Sequence, residues 1–124
     1  MKNSPIIIVS GEPNSVFLEI FFKAIKIYDF KCPLIIIVSQ KLLQQQMVKL
    51  GFNYKINIID KNFNKLDKLN NKKINIINVD YKFNNCFEKI SNKSNNYIKD
   101  SFKIALEIIL KNKFSKFING PISK

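Results

Sequence analysis

Two short apolar runs, residues 5–9 (Pro-Ile-Ile-Ile-Val) and 34–38 (Leu-Ile-Ile-Ile-Val), are each followed by a stretch of helical period. This alternation constrains the fold more than any other feature of the chain. A continuous run rich in β-branched residues has no polar alternate face, so it fits a strand covered on both sides, as in a parallel sheet. Strands that alternate with helices along a chain join through right-handed crossovers into one mainly parallel sheet. The expected class is α/β: three layers, with helices flanking that sheet.

The first run stops at Ser10-Gly11-Glu12-Pro13-Asn14-Ser15, a series of turn formers whose last residues offer Asn14 or Ser15 as a helix N-cap. Residues 16–28 predict a largely buried helix, with Glu19, Lys23 and Lys26 as one narrow polar stripe. Pro33 closes the connection that follows. After the second run, Ser39 is placed to cap a helix over 40–50, and Gly51 to end it in the left-handed conformation.

The second half is less regular. Residues 54–59 predict a third strand, and 60–73, dominated by Lys and Asn, a solvent-facing loop. Residues 74–79 read as a strand at a sheet edge, because Asn75 and Asn78 interrupt it. Residues 80–95 are polar and irregular, tacked to the core by Phe83, Phe87 and Ile90. From about residue 96 the helical period returns, with Ile98, Phe102, Ala105 and Ile109 on one face and Tyr97, Ser101, Ile104 and Ile108 beside them. Residues 114–118 read as a last strand, leading into Asn119-Gly120-Pro121 and on to Lys124.

With 124 residues and 46% hydrophobic content, residues 1–124 fit a single α/β segment with its own core; no repeat or second domain is visible. The net charge of +12 raises the question of a nucleic-acid partner. The lysines are spread along the whole chain and arginine forks are missing, so the charge reads as a solvated surface and no nucleic acid is expected. No apolar run approaches the roughly 20 residues that span a bilayer, and no secretory leader opens the chain. A cytoplasmic protein without a membrane partner is expected, in which Cys32 and Cys86 are reduced, structural thiols.

Histidine is absent, which removes the commonest general base and the commonest transition-metal ligand. Glycine occurs only at positions 11, 51 and 120, too few for a dinucleotide fingerprint or a phosphate-cradling P-loop. What remains are two loops, 10–15 and 119–124, at the carboxyl ends of strands, where open α/β sheets bind ligands. Gly11-Glu12-Pro13 precedes a helix N-terminus and can present backbone N–H groups to an anion. Equally, Gly11 makes a tight turn that Pro13 stiffens. Lys124 can reach a phosphate or carboxylate, or it is simply solvated. A strand that leads into Gly-Pro without the helix it should introduce makes the chain read as an incomplete, N-terminal part of a longer enzyme.

The strand and loop Ile6-Ile7-Ile8-Val9-Ser10-Gly11-Glu12-Pro13, the helix carrying Glu19-Ile20, and Phe117-Ile118-Asn119-Gly120-Pro121-Ile122-Ser123-Lys124 together resemble the 4-hydroxythreonine-4-phosphate dehydrogenase family of pyridoxal phosphate biosynthesis. In that family a Gly-Asp/Glu-Pro loop follows the first strand and a Thr-Gly/Ala-Pro-x-x-Lys stretch follows a later one, at similar spacing. The likeness covers essentially all of this chain but only the N-terminal part of a family member. Two departures stand out. Asn14-Ser15-Val16-Phe17-Leu18-Glu19 replaces a glycine-rich stretch, keeping only its acid, and Asn119 stands where Thr is usual.

The resemblance implies an isocitrate/isopropylmalate dehydrogenase-like fold and an NAD-dependent oxidation of the hydroxyl of a phosphorylated small-molecule substrate, followed by decarboxylation. It further implies a homodimer and a divalent metal held by histidines from both subunits. Those histidines and most NAD contacts fall downstream in the family, so no catalytic, cofactor-binding or metal residue is carried over. Gly11, Glu12, Pro13, Gly120, Pro121 and Lys124 are carried over as lining the cleft. The expected function is thus the N-terminal part of such a dehydrogenase, inactive alone. The alternative is a standalone, non-catalytic module that grips a phosphorylated metabolite.

Overall fold

Five strands form one sheet in the order β3-β4-β2-β1-β5, every neighbouring pair parallel. In this computed structural model the described residues are 4–60, 69–70, 72–89 and 92–122. Ile90 and Lys124 lie outside them. The strands are β1 (Ile6–Val9), β2 (Leu34–Val38), β3 (Ile56–Ile58), β4 (Ile74–Asn78) and β5 (Lys116–Asn119). The helices are α1 (Phe17–Ile27), α2 (Gln40–Leu50) and α3 (Asn95–Asn112), the last preceded by a 3-10 turn at Asn92–Ser94.

The pleat of the isoleucine runs builds two cores at once, because successive side chains in a strand point to opposite faces. Ile8, Ile36 and Ile76 meet Leu18, Phe21 and Phe22 of α1 and Leu42 and Leu43 of α2 on one face. Ile7, Val9, Ile35, Ile37 and Ile77 meet Ile98, Ala105 and Ile108 of α3 on the other. Each of these isoleucines removes an entire side chain from water, worth about 1.5–3 kcal/mol apiece. The result is the expected three-layer α/β arrangement.

The caps of α2 form as the sequence suggests. Ser39 Oγ accepts a hydrogen bond from Leu42 N at 3.2 Å, and Gly51 adopts φ 80° with its N–H bonded back into the last turn. At α1 the expectation shifts: Val16 holds the N-cap position and no cap side chain bonds there, while Ser15 Oγ accepts from Phe17 N at 3.3 Å.

Two further expectations are corrected. Strand β4 is interior, between β3 and β2, rather than at an edge. Asn75 is tolerated there because all its polar capacity is used. Its Nδ2 donates to the carbonyls of Leu34 and Asn70, both at 3.0 Å, and its Oδ1 accepts from Asn57 Nδ2 and Asn70 N, both at 2.9 Å. A buried amide with four partners escapes the penalty that a bare polar group incurs. Asn78, at the strand's end, is exposed and its Oδ1 accepts from Gln40 N.

Helix α1 is less buried than its apolar content suggests. Ile20 and Ile27 are 58% and 73% exposed, because the helix packs on the sheet and α2 along one side only. The irregular stretch after β4 is tacked down chiefly by Cys86, which is buried, and by Tyr81 and Phe83, whose rings stack at 5.8 Å; Phe87 stays exposed. Cys32 and Cys86 are both free thiols. No helix among the described residues is long and apolar enough to cross a membrane.

Candidate functional site

The carboxyl ends of β1 and β5 bring the two sequence-marked loops into direct contact. Gly120 N donates to Val9 O at 2.7 Å, and Glu12 N donates to Pro121 O at 2.7 Å, so each loop holds the other. Gly11 sits at φ 73°, a left-handed conformation that side chains disfavour. A Cβ on Gly11 would collide with the carbonyl oxygen of Pro121, and one on Gly120 with the carbonyl oxygen of Ser10. Both glycines are therefore spent on the close approach of loop to loop.

Four backbone amides after Gly11 are likewise occupied. Besides the bond from Glu12 N, Asn14 N donates to Glu12 Oε1 at 3.4 Å, Ser15 N to Glu12 O at 3.2 Å, and Phe17 N to Ser15 Oγ. These hydrogen bonds build a tight turn at Gly11. Glu12 itself is buried, and its Oε2 accepts from Ser94 Oγ at 2.9 Å. Pro13 is also buried; its carbonyl accepts from Gln46 Nε2 at 3.1 Å, and the same amide donates to Cys86 O at 2.8 Å. Gln46 thus staples the first loop and the segment after β4 onto α2, although its Oε1 has no hydrogen-bond partner among the described residues.

Beside this knot lies a second polar centre. Tyr97 OH accepts from Ser39 N at 2.9 Å and lies 3.2 Å from Ser10 Oγ. Since the Ser39 amide fills an acceptor site of the phenol, the phenol's own proton is available to Ser10. Burial pushes the Tyr97 hydroxyl above its ordinary range, partly opposed by the bonds to Ser10 and Ser39; nearby Tyr81 pushes the same way as burial. One phenol so ties the ends of β1 and β2 to the start of α3.

Of the residues marked in the sequence as cleft-lining, Gly11, Glu12, Pro13 and Gly120 come together and are buried, Pro121 is exposed, and Lys124 lies outside the described residues. The first four shape the floor of the carboxyl edge rather than its surface. The surface there is a shallow, open recess lined by Ser39, Gln40, Lys41, Asn78, Asp80, Tyr81 and Lys82. Asn78 Nδ2 donates to Asp80 Oδ1 at 3.2 Å, and Asn78 Oδ1 accepts from the first amide of α2, so the helix N-terminus bordering the recess is capped by protein.

Sequence reasoning missed Ser10, Ser39, Gln46, Ser94 and Tyr97 as members of this centre. One signal was present: a serine follows directly on each of the two isoleucine runs. A better enclosed cavity lies at the opposite, amino end of the sheet, lined by residues that include Phe21, Ile25, Tyr28, Tyr54, Lys72 and Asn75. It gathers no set of convergent catalytic groups, and the topology of parallel sheets places ligands at the other end.

The chain does not fit the divalent metal implied by the resemblance. It has no histidine, and among the described residues no three His, Cys, Asp or Glu side chains cluster. Nor do its glycines leave bare backbone for a dinucleotide, since two are buried against each other and Gly51 ends α2. The residues of this chain thus supply positioning and rigidity at the carboxyl edge, and neither group enters the chemistry assigned to them.

No protein-family model and no curated protein sequence matches the chain. Among solved structures, the crystal structure of a 4-hydroxythreonine-4-phosphate dehydrogenase from Burkholderia phymatum is similar over 100% of this chain, with a TM-score of 0.78 and 19% identity. At that identity the likeness establishes the fold. This chain spans 38% of the length of that protein.

Proposed function

We propose that the chain is the N-terminal part of an NAD-dependent 4-hydroxythreonine-4-phosphate dehydrogenase, inactive without the remainder of the enzyme. The supporting observation is the mutual docking of Gly11-Glu12-Pro13 and Gly120-Pro121 at the carboxyl edge of the sheet, through the bonds Glu12 N to Pro121 O and Gly120 N to Val9 O. These are the two loops that carry the family resemblance, and the whole unit has the fold of a solved enzyme of that name.

On this reading the loops form a rigid floor for the substrate cleft, and the groups that oxidise the hydroxyl and hold the metal come from elsewhere in the enzyme. NAD, a divalent metal and a homodimeric partner belong to the complete protein.

The test is a chimera in which this chain replaces the matched 38% of the Burkholderia phymatum protein. Oxidation of the phosphorylated hydroxy amino acid with reduction of NAD is expected from the chimera and not from the 124-residue chain alone. Turnover by the isolated chain, or a folded chimera without turnover, overturns the reading. A chain stabilised by inorganic phosphate beside an inert chimera points instead to the non-catalytic binding module.

A further inference from the structure

The cavity at the amino end of the sheet lies between the connections that lead into β2 and β4, at the opposite end of the strands from the docked loops. Its volume is about 140 Å³. An enclosed apolar space of about 150 Å³ takes a benzene-sized ring. Phe21 and Ile25 of α1, Leu34, Ile74 and the ring of Tyr54 give the cavity an apolar wall. Tyr54 is held in place there: its hydroxyl donates to Phe22 O at 3.1 Å, and its ring stacks on those of Phe52 and Phe22 at 6.0 and 6.2 Å.

The rim carries charges of both signs, one sign from each connection. Asp29 follows the carboxyl end of α1, where the last carbonyls of the helix carry partial negative charge. Lys72 and Lys73 precede β4. All three are exposed, as are Lys26 and Lys31 near Asp29, which do not line the cavity. Among the described residues, none of Asp29, Lys72 and Lys73 takes part in a salt bridge. The backbone beneath them is nevertheless fixed. Lys72 N donates to Asn70 Oδ1 at 2.8 Å and Lys73 N to Asn70 O at 3.3 Å, while Asn70 N is held by the buried Asn75 Oδ1 at 2.9 Å. On the other side Ile6 N donates to Pro33 O at 2.9 Å, and Lys116 Nζ donates to Cys32 Sγ at 3.1 Å. A cavity shaped in advance loses little to ordering when it binds.

A ring-sized apolar space with a negative pole on one side and a positive pole on the other matches a molecule with one ring, one ammonium and one carboxylate. We infer that this cavity binds a free amino acid with a single-ring aromatic side chain. The ring lies against Phe21, Ile74 and Tyr54, the ammonium faces Asp29 and the carboxylate faces Lys72 and Lys73. Substrates of parallel sheets sit at the carboxyl ends of the strands, and no catalytic groups converge here, so this ligand is held without being converted. The inference does not depend on the dehydrogenase reading, and the chimera result leaves it untouched.

The probes are phenylalanine, 3-phenylpropionate, which lacks the ammonium, and phenethylamine, which lacks the carboxylate. Affinity for the full chain is measured by calorimetry. Occupancy is read from alkylation by iodoacetamide, because Cys32 lines the cavity while Cys86 is buried elsewhere. Phenylalanine is expected to protect Cys32 and to bind about twofold to fivefold more tightly than either single-charge probe, the range that exposed charge contacts support. Asp29→Asn should abolish its advantage over 3-phenylpropionate, and Lys72→Gln with Lys73→Gln its advantage over phenethylamine. Lys49→Gln, on the exposed side of α2, should change neither. These positions are all exposed, so the variants retain the fold. Equal affinity for the three probes, tighter binding of a single-charge probe, an unprotected Cys32, advantages that survive the rim substitutions, or no binding would each overturn the proposal.

Discussion

Gly11 and Gly120 occupy each other's side-chain space: a Cβ on Gly11 would stand 2.8 Å from the carbonyl carbon of Gly120, and a Cβ on Gly120 would run into the carbonyl of Ser10. The two positions are brought into contact only by the pairing of β1 with β5.

Alanine at either position should therefore be costly in different measure. Gly11→Ala combines the left-handed φ of 73° with the clash against Pro121 and should lose about 3 kcal/mol. Gly120→Ala carries the clash alone, about 2 kcal/mol. Gly51 shares the left-handed conformation but has open space around it, so Gly51→Ala should cost only about 1 kcal/mol. Urea unfolding of the three variants checks the order, which fails if Gly51→Ala is the worst.

Tyr97 sets an alkaline limit on stability. Its folded pKa is raised above the ordinary value of 10.0, chiefly by burial, so the unfolded chain releases this proton first as the pH climbs. Where the unfolded state binds fewer protons, stability falls with rising pH. The contribution is complete below pH 10.0 and is lost as the pH rises through the folded value. Tyr97→Phe should lower stability near neutrality by about 1–3 kcal/mol, because the Ser39 amide is left without its acceptor. The variant should also show a shallower alkaline decline. A decline as steep as that of the native chain would assign the limit to other groups, Tyr54 among them.

Asn75 offers the cleanest test of the sheet's interior. Asn75→Ala removes both partners from Asn70, and with them the anchor that binds that residue to β4. A loss of about 2–4 kcal/mol is expected, larger than a methyl-sized cavity alone would give. Asp at the same site should be worse than Asn, since two carbonyls that now accept from Nδ2 would face an oxygen. Thermal melts of both variants decide the matter.

The isoleucine runs made the parallel sheet legible, because a strand with no polar face has only one kind of environment that suits it. Ser39 and Gly51 likewise announced their caps through local chemistry. Asn75 misled because local sequence shows a polar interruption but not its partners, and the partners lie in three other segments. The polar centre around Tyr97 was hidden for the same reason: Ser10, Ser39 and Tyr97 are joined across 58 and 87 residues of chain. Helix α1 looked largely buried because apolar content signals a wish for cover, not its presence. The two loops were legible as a pair, although their glycines turned out to serve each other.

The placement of β1 between β2 and β5 also orders events in time. One side of β1 can zip to β2 as soon as Leu34–Val38 exists, whereas the other must wait for Lys116–Asn119. At ordinary rates of synthesis, about 5–20 residues per second, that wait is about 4–16 s, far longer than loop closure or collapse of so short a chain. From Val38 until Lys116 is made, a nascent chain thus carries β1 with one side unfilled. Strand β5 thus acts less as another layer of the fold than as the latch that closes this side of β1.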